Sequence, residues 1–255
     1  MKVPVSVVVI TNNAARTIEK VLASAKQLTD DIVVVDSGST DDTLVLAGRY
    51  DPLIISTSWK GYGASKNLGN QSARNNWILS LDADEVPDSE LVDEIKRIDF
   101  SDTGKIYEMG ILNYVGTKPI RFGEWRHDRV TRLFNRRDTA WNDAPVHEQL
   151  VSAHPVSTVR LKGRLHHYTT PDMETFRIKQ RRYAEMMAEK YFASGKKAGA
   201  LKMIVSPAFS FLKNYIFRSG WMDGKTGLQI ALANAYYTYN KYRLLKLKKQ
   251  QAKKP

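Results

Sequence analysis

The chain has 255 residues and a mass of 29.0 kDa, is 42% hydrophobic and 26% charged, and contains 0 cysteines. That composition folds around a core, so it excludes a disordered protein, and it also excludes a disulfide framework, a thiolate metal site and a cysteine nucleophile. The net charge of +12 is segregated: residues 177–255 hold 18 basic and 3 acidic side chains against 21 and 24 in residues 1–176, a basic extension suited to polyanions such as nucleic acid, anionic lipid or phosphorylated substrate.

Val5–Ile10 is a continuous apolar, largely β-branched run, which predicts a strand buried on both faces. It is too brief for the apolar core of a signal peptide. Ala14–Gln27 has helical spacing through Ile18, Val21, Leu22 and Ala25. Asp31–Asp36 reads as a second buried strand and Thr40–Tyr50 as a helix capped by Ser39 or Thr40. Leu53–Thr57, Trp77–Asp82 and the intervening and following helices Gly63–Ala73 and Asp88–Ile98 complete an alternation of four strands with helices. That alternation predicts a mainly parallel, doubly wound α/β sheet, in which ligands bind beyond the carboxyl ends of the strands. Between residues 105 and 165 short mixed runs (Ile106–Tyr114, Val130–Phe134, Ser157–Leu161) predict further strands. From Asp172 onward the pattern is helical. The longest late uncharged stretch, Thr226–Asn240, falls short of the roughly 20 apolar residues that cross a bilayer. The expected division is an α/β domain over 1–170 and a basic helical region over 171–255.

The strand ends carry Thr11-Asn12-Asn13, Asp36-Ser37-Gly38-Ser39, a polar stretch reaching Lys60-Gly61, and Asp82-Ala83-Asp84-Glu85. Neither a G-x-G-x-x-G nor a G-x-x-x-x-G-K-[ST] loop follows the first strand, which argues against a dinucleotide or P-loop site. Two carboxylates one residue apart at a strand end suit Mg²⁺ or Mn²⁺ shared with substrate phosphates. A solvated turn with a helix cap is the plainer alternative.

In this order, V-V-I-T-N-N, D-I-V-V-V-D-S-G-S-T-D-D-T, G-x-x-x-x-K-N and D-A-D-E, the chain resembles family 2, GT-A-fold nucleotide-sugar glycosyltransferases. The resemblance implies that Thr11 and Asn12 approach the base and Asp36 the uracil or ribose. It places Lys66 and Asn67 near the donor, Asp82 near ribose or metal, and Asp84 as the metal ligand. It implies Glu148, in Val146-His147-Glu148, as the base that takes the acceptor hydroxyl proton. The chain has no E-D pair, where that family commonly carries its base, and Asp143 is the reserve. An ion pair between Glu148 and Arg132 or Arg136 is the competing structural reading.

A closer resemblance, over nearly the whole chain, is to the subgroup of lipopolysaccharide or lipooligosaccharide inner-core beta-1,4-glucosyltransferases. It rests on Arg132-Leu133-Phe134, A-P-V-H-E, the pattern His167-Tyr168…Lys179…Arg182-Tyr183 and the late G-W-M-D-G-K-x-G. It implies a metal-dependent, inverting enzyme with UDP-glucose as donor and a heptose of a lipid-linked core oligosaccharide as acceptor. His167 would complete the metal or diphosphate site; Arg132, Lys179 and Tyr183 would meet phosphate or the anionic acceptor. A core or turn histidine is the alternative for His167, and one face of a solvated helix for Lys179, Arg182 and Tyr183. Trp125 and Trp141 either stack on sugar or pack a core, and packing is favoured.

The basic, aromatic C-terminal helices (Phe209, Phe211, Leu212, Tyr215, Ile216; Leu228, Ile230, Leu232, Tyr236, Tyr239) are expected at an anionic membrane surface. The alternative for them is a helical subdomain or an oligomer contact. The expected location is cytoplasmic, peripheral on the inner membrane, with no nucleic acid partner. A different acceptor, a nucleotidyltransferase, a phosphatase reading of Asp82–Val86 and a polyanion-binding module are the alternatives.

Overall fold

The computed structural model describes residues 2–142, 148–196 and 199–252. Strand β1 (Val5–Thr11) is followed by α1 (Ile18–Ala25), β2 (Ile32–Asp36), α2 (Thr43–Gly48), β3 (Leu53–Ser56), α3 (Tyr62–Ser72) and β4 (Trp77–Asp82). The short β5 (Glu85–Pro87), helix α4 (Ser89–Ile95), β6 (Lys105–Val115), β7 (Lys118–Ile120), β8 (Arg129–Asn135), β9 (Thr139–Trp141), β10 (Leu150–Ser152) and β11 (Ser157–Thr170) come next. The chain continues as α5 (Met173–Ala193), α6 (Ala200–Leu212) and α7 (Gly224–Gln251).

One sheet runs in the order β3-β2-β1-β4-β8-β6-β11-β5, with β7 on β6; β9 and β10 form a separate hairpin. The β1–β2, β1–β4 and β2–β3 pairs are parallel, and β8 and β5 join in antiparallel fashion. This is the expected α/β architecture, a parallel core extended by antiparallel strands. Strands β1, β2 and β4 are buried on both faces because Val5, Val7, Val9 and Val34 meet Ile18, Val21 and Leu22 of α1 on one side, while Val8, Val33 and Val35 pack with Ile78, Phe134 and Trp141 on the other; the parallel edge strand β3 is only partly covered. Each fully buried Val, Leu or Ile contributes about 1.5–3 kcal/mol to folding.

Helix α2 is shorter than the Thr40–Tyr50 expected. Thr40 and Asp41 donate their backbone N–H groups to Asn13 Oδ1, while Thr43 Oγ1 and Asp41 Oδ2 accept the N–H groups of Ala14 and Ala15. The residues that would have formed a first turn instead tie the loop after β2 to the loop after β1. Asn13 adopts φ 52° to do so, a conformation that Asn tolerates better than most side chains.

The chain forms two compact units. The first comprises residues 1–111 and 128–167, the second 112–127 and 168–255. The helical unit therefore includes a β-hairpin segment that the 170/171 division leaves with the N-terminal domain. Within this second unit Phe176, Ile230 and Ala233 pack with Val115 and Ile120, and a second cluster joins Ala188, Tyr242 and Leu245. The late G-W-M-D-G-K-x-G stretch is part of its framework. Buried Asp223 accepts the N–H groups of Arg121 and Phe122, and a Cβ on Gly227 would lie 1.9 Å from Gly220 O.

Candidate active site

Strand β4 delivers Asp82 to the edge of the first unit, where two buried cations engage it. Arg132 Nη2 donates to Asp82 Oδ2 at 2.7 Å and to Glu85 Oε1 at 2.6 Å. Lys66 Nζ lies 3.2 Å from Asp82 Oδ1, too oblique for a well-formed hydrogen bond, and donates to Glu148 Oε1 at 2.7 Å. The Lys66 side chain is 0% exposed and its ammonium lies 4.6 Å from the centre of the Trp141 ring. Glu85 Oε2 accepts the backbone N–H of Asp82, so the acid after the D-x-D holds the D-x-D in place.

The electrostatics follow from this packing. Burial would raise the Asp82 carboxyl, but the charges of Arg132 and Lys66 outweigh it and hold it at about 2. Burial pushes Glu85 upward, and the adjacent Asp82 charge adds to that against the pull of Arg132. Burial would also weaken Arg132 as a cation, yet Asp82 and Glu85 more than compensate and keep it protonated. Three carboxylates, Asp82, Glu85 and Glu148, thus share two cations.

Asp84 pairs with His167 rather than with Lys66 or Arg132. Its Oδ2 lies 3.3 Å from His167 Nε2. The β5–β11 ladder positions that histidine, with His167 opposite Glu85. Burial alone would lower the imidazole, but the hydrogen bond and charge of Asp84 carry it above its usual value. Among the described residues no three His, Cys, Asp or Glu side chains converge on a metal position. A nucleotide-bound Mg²⁺ takes one or two protein ligands and completes its shell with phosphates and water. The Asp84 carboxylate fits that donor set, whereas the His167 imidazole nitrogen suits a transition ion such as Mn²⁺ better than Mg²⁺; Asp84 and His167 are the residues that would hold the ion. Asp82, expected as a second carboxylate ligand, is turned to Lys66 and Arg132 instead.

The remaining expectations divide clearly. Thr11 and Asp36 are register partners at the ends of β1 and β2. Thr11 Oγ1 is buried without a hydrogen-bond partner among the described residues, a polar atom suited to a ligand. Asp36 accepts the N–H groups of Gly38 and Ser39, each at 3.0 Å, so it shapes its own loop. Asn12 donates to Ser37 O at 2.9 Å. Asn67, expected near the donor, is structural: its amide exchanges two hydrogen bonds with the Trp141 backbone. Lys66 lies at the site but is buried between two acids. Arg132 is corrected from an acceptor or phosphate contact to the buried counter-ion of Asp82 and Glu85. The expected alternative partners of Glu148 are replaced by Lys66, and Arg136 bonds Asn70 O.

Asp143 lies outside the described residues. Lys179 and Tyr183 belong to the second unit, where the lysine sits over the exposed tyrosine ring on α5. Trp141 packs on Phe134 and Trp125 on Phe176, as favoured. The pattern assigns Glu85 no role; the local signal for it is an acid directly after the D-x-D. A cleft of about 310 Å³ lined by Thr57, Ser58, Lys60, Ser65, Asn67 and Gln71 adjoins α3, so Asn67 also borders open space. None of Asp82, Asp84 or Glu148 lines it, so the chemistry is placed at the acid cluster.

Gly63 sets the approach of α3 to Asn142 and Glu148. A Cβ there would lie 2.0 Å from Asn142 O and 3.7 Å from Glu148 Cβ. Gly63→Ala is expected to lower stability by about 1–3 kcal/mol through overpacking, read as a lower urea midpoint. A variant as stable as the parent would show that the Asn142 backbone gives way without strain.

The family model described as Glycosyl transferase family 2 matches residues 6–149, from β1 through Glu148. An uncharacterized glycosyltransferase of Rickettsia bellii is 27% identical over 256 residues, covering 96% of this chain and 86% of its own. The lipopolysaccharide core biosynthesis glycosyltransferase LpsC of Rhizobium meliloti is 29% identical over 248 residues, covering 93% and 90%. Among solved structures, S. aureus TarS 1–349 has a TM-score of 0.46 at 15% identity over 98% of this chain and 92% of that one. Glucosyl-3-phosphoglycerate synthase of Mycobacterium tuberculosis, in complex with Mn²⁺, UDP and glucosyl-3-phosphoglycerate, has a TM-score of 0.35 at 24% identity over 43% and 44%.

Proposed function

The chain belongs to glycosyl transferase family 2, and from that premise we propose that it is a metal-dependent, inverting hexosyltransferase. In this reading it moves glucose from UDP-glucose to a heptose of a lipid-linked core oligosaccharide, at the cytoplasmic face of the inner membrane. The observation that carries the reading is the position of Lys66. Its buried ammonium touches both Asp82 of the D-x-D and Glu148, so a donor-side acid and an acceptor-side acid are held in one cluster. The likeness to LpsC supports a lipopolysaccharide-core acceptor.

The acceptor hydroxyl oxygen attacks the anomeric carbon as the bond from that carbon to the diphosphate oxygen breaks on the opposite face. Glu148 takes the hydroxyl proton, and Lys66, at 2.7 Å from Oε1, keeps the carboxylate in place. Thr11, Asn12 and the Asp36 loop form the wall for the nucleoside. Bound through Asp84 and His167, Mg²⁺ or Mn²⁺ would offset the charge gathering on the leaving diphosphate.

The test is thermal stability with UDP in the presence of Mn²⁺, Mg²⁺ or EDTA. A ligand specific for the native state adds about 2.7 kcal/mol at a hundredfold excess over its Kd. UDP is expected to raise the melting temperature only with the metal, and Asp84→Ala to remove that gain without unfolding the protein. Asp84 is partly exposed and stands outside the Lys66–Arg132 network. Full metal-dependent stabilisation of Asp84→Ala by UDP would remove Asp84 from the site.

A further inference from the structure

The two C-terminal apolar helices, α6 and α7, look alike in composition but differ in packing. Ile230 and Ala233 place α7 in the core of the second unit, and α7 packs against both α5 and α6. Helix α6 meets that core through Met203, beside Tyr242 and Leu245. Its other side is bare: Leu201, Ile204, Val205, Phe209, Leu212 and Ile216 are 46–75% exposed. Their spacing of three and four residues puts them on one stripe, continuing through the π turn Lys213–Phe217. Phe217, Trp221 and Met222 extend the exposed apolar run. Contiguous apolar surface of this kind marks an interaction site rather than ordinary scatter.

The charge around the stripe identifies the partner. From Lys190 to Pro255 there are 14 basic residues and a single acid, Asp223. That acid is buried, with its oxygens engaged by the backbone of Arg121 and Phe122. Lys213 falls within the span of the stripe and is exposed; Lys202 is exposed too, with its ammonium 5.4 Å from the centre of the Tyr242 ring, and exposed Lys225 opens α7. A second copy of the chain would bring the same positive charge to the contact. An anionic bilayer accepts both features at once: apolar side chains enter beneath the headgroups while lysines meet phosphate. Phenylalanine and tryptophan at the stripe suit that depth, as interfacial aromatics do. No described helix is long and apolar enough to cross a membrane. The stripe from Leu201 to Phe217 spans about 24 Å at 1.5 Å per residue, a length for lying in the interface.

We propose that α6 and the turn after it are the membrane-docking element, lying flat in the headgroup layer of an anionic bilayer with the Leu201–Phe217 stripe inserted. This deepens the reading of a lipid-linked acceptor by naming the surface that meets the lipid. Its test reads membrane binding alone, so it stands or falls apart from the transfer reaction.

The full chain is floated with vesicles of phosphatidylglycerol and phosphatidylcholine, and with vesicles of phosphatidylcholine alone. Strong binding to the first and weak, salt-insensitive binding to the second is expected. Ile204→Glu with Phe209→Glu is expected to weaken binding to the anionic vesicles at least about tenfold. Lys202→Glu and Lys213→Glu should each weaken it about fivefold, more so at low salt. A parallel measurement avoids reliance on variant folding: brominated lipid in the anionic vesicles should quench the tryptophan fluorescence of the wild-type protein, in which Trp221 is exposed, relative to the same vesicles without bromine. Equal binding to both vesicle types overturns the proposal. So does an unchanged Ile204→Glu/Phe209→Glu variant, or a wild-type dimer that these changes dissociate while vesicle binding persists. UDP-dependent stabilisation, measured on the same samples, separates loss of docking from loss of the donor site.

Discussion

Glu148→Gln should lower the rate of sugar transfer by about 10²- to 10⁴-fold while leaving UDP-dependent stabilisation intact. The substitution keeps the size of the side chain and an oxygen to accept the Lys66 hydrogen bond, but the amide cannot take the acceptor proton. It should not harm folding. Asp82, Glu85 and Glu148 form three carboxylates around the two cations Lys66 and Arg132, so removing one negative charge brings the cluster to formal balance. The measurement pairs turnover on a glucose-deficient core acceptor with a UDP melting curve. Turnover within tenfold of the parent would move the base from Glu148 to Asp143. Loss of UDP binding would mean that Glu148 serves the donor instead.

Arg132→Met should be the most destabilising single change at the site, costing about 3–5 kcal/mol. The Arg132 side chain is 9% exposed and its guanidinium bonds both Asp82 and Glu85. Methionine retains much of the volume, so the loss comes from leaving Glu85 without its counter-ion and Asp82 with Lys66 alone, rather than from a cavity. Glu85, 2% exposed, bears most of it because water cannot reach it. The urea midpoint should fall with the slope unchanged, and Glu85→Gln made in the same chain should restore part of the loss, since partners in one network couple by about 0.5–3 kcal/mol. A pH series supplies an independent reading. The Glu85 carboxyl is already raised by burial in the parent, so its folded form binds a proton more tightly than the unfolded chain. Its contribution is present at low pH and lost as pH rises through the folded value. In Arg132→Met the deficit should therefore shrink on acidification below neutrality. A deficit that is constant with pH and untouched by Glu85→Gln would mean that Arg132 acts through packing alone.

The site divides along the same physical line as these two predictions. The strands Val5–Ile10, Asp31–Asp36 and Trp77–Asp82 are legible because burial on both faces demands an unbroken apolar run. The acids at their ends are legible because a strand end in a parallel sheet is where ligands bind. The N-terminus of α4 is also readable: Asp88 accepts the Leu91 N–H as its cap. Side-chain competition with backbone is harder to read. Thr40–Tyr50 has helical composition, yet Asp41 and Thr43 serve the loop after β1 and remove a turn.

Partnerships of charge were not legible. Lys66 reaches Glu148 across 82 positions and Arg132 reaches Asp82 across 50, distances in sequence over which no local pattern carries a signal. Lys66 and Asn67 are neighbours in one motif, but successive helical residues point in different directions. One therefore enters the acid cluster while the other binds the Trp141 backbone. The sequence by itself determined an α/β core with acids at its strand ends and a basic helical extension, because periodicity and composition are local properties. Tertiary structure alone decided which acid is paired, which lysine is buried and which of two similar helices is left bare, because each depends on what the fold brings within a few ångströms of that side chain.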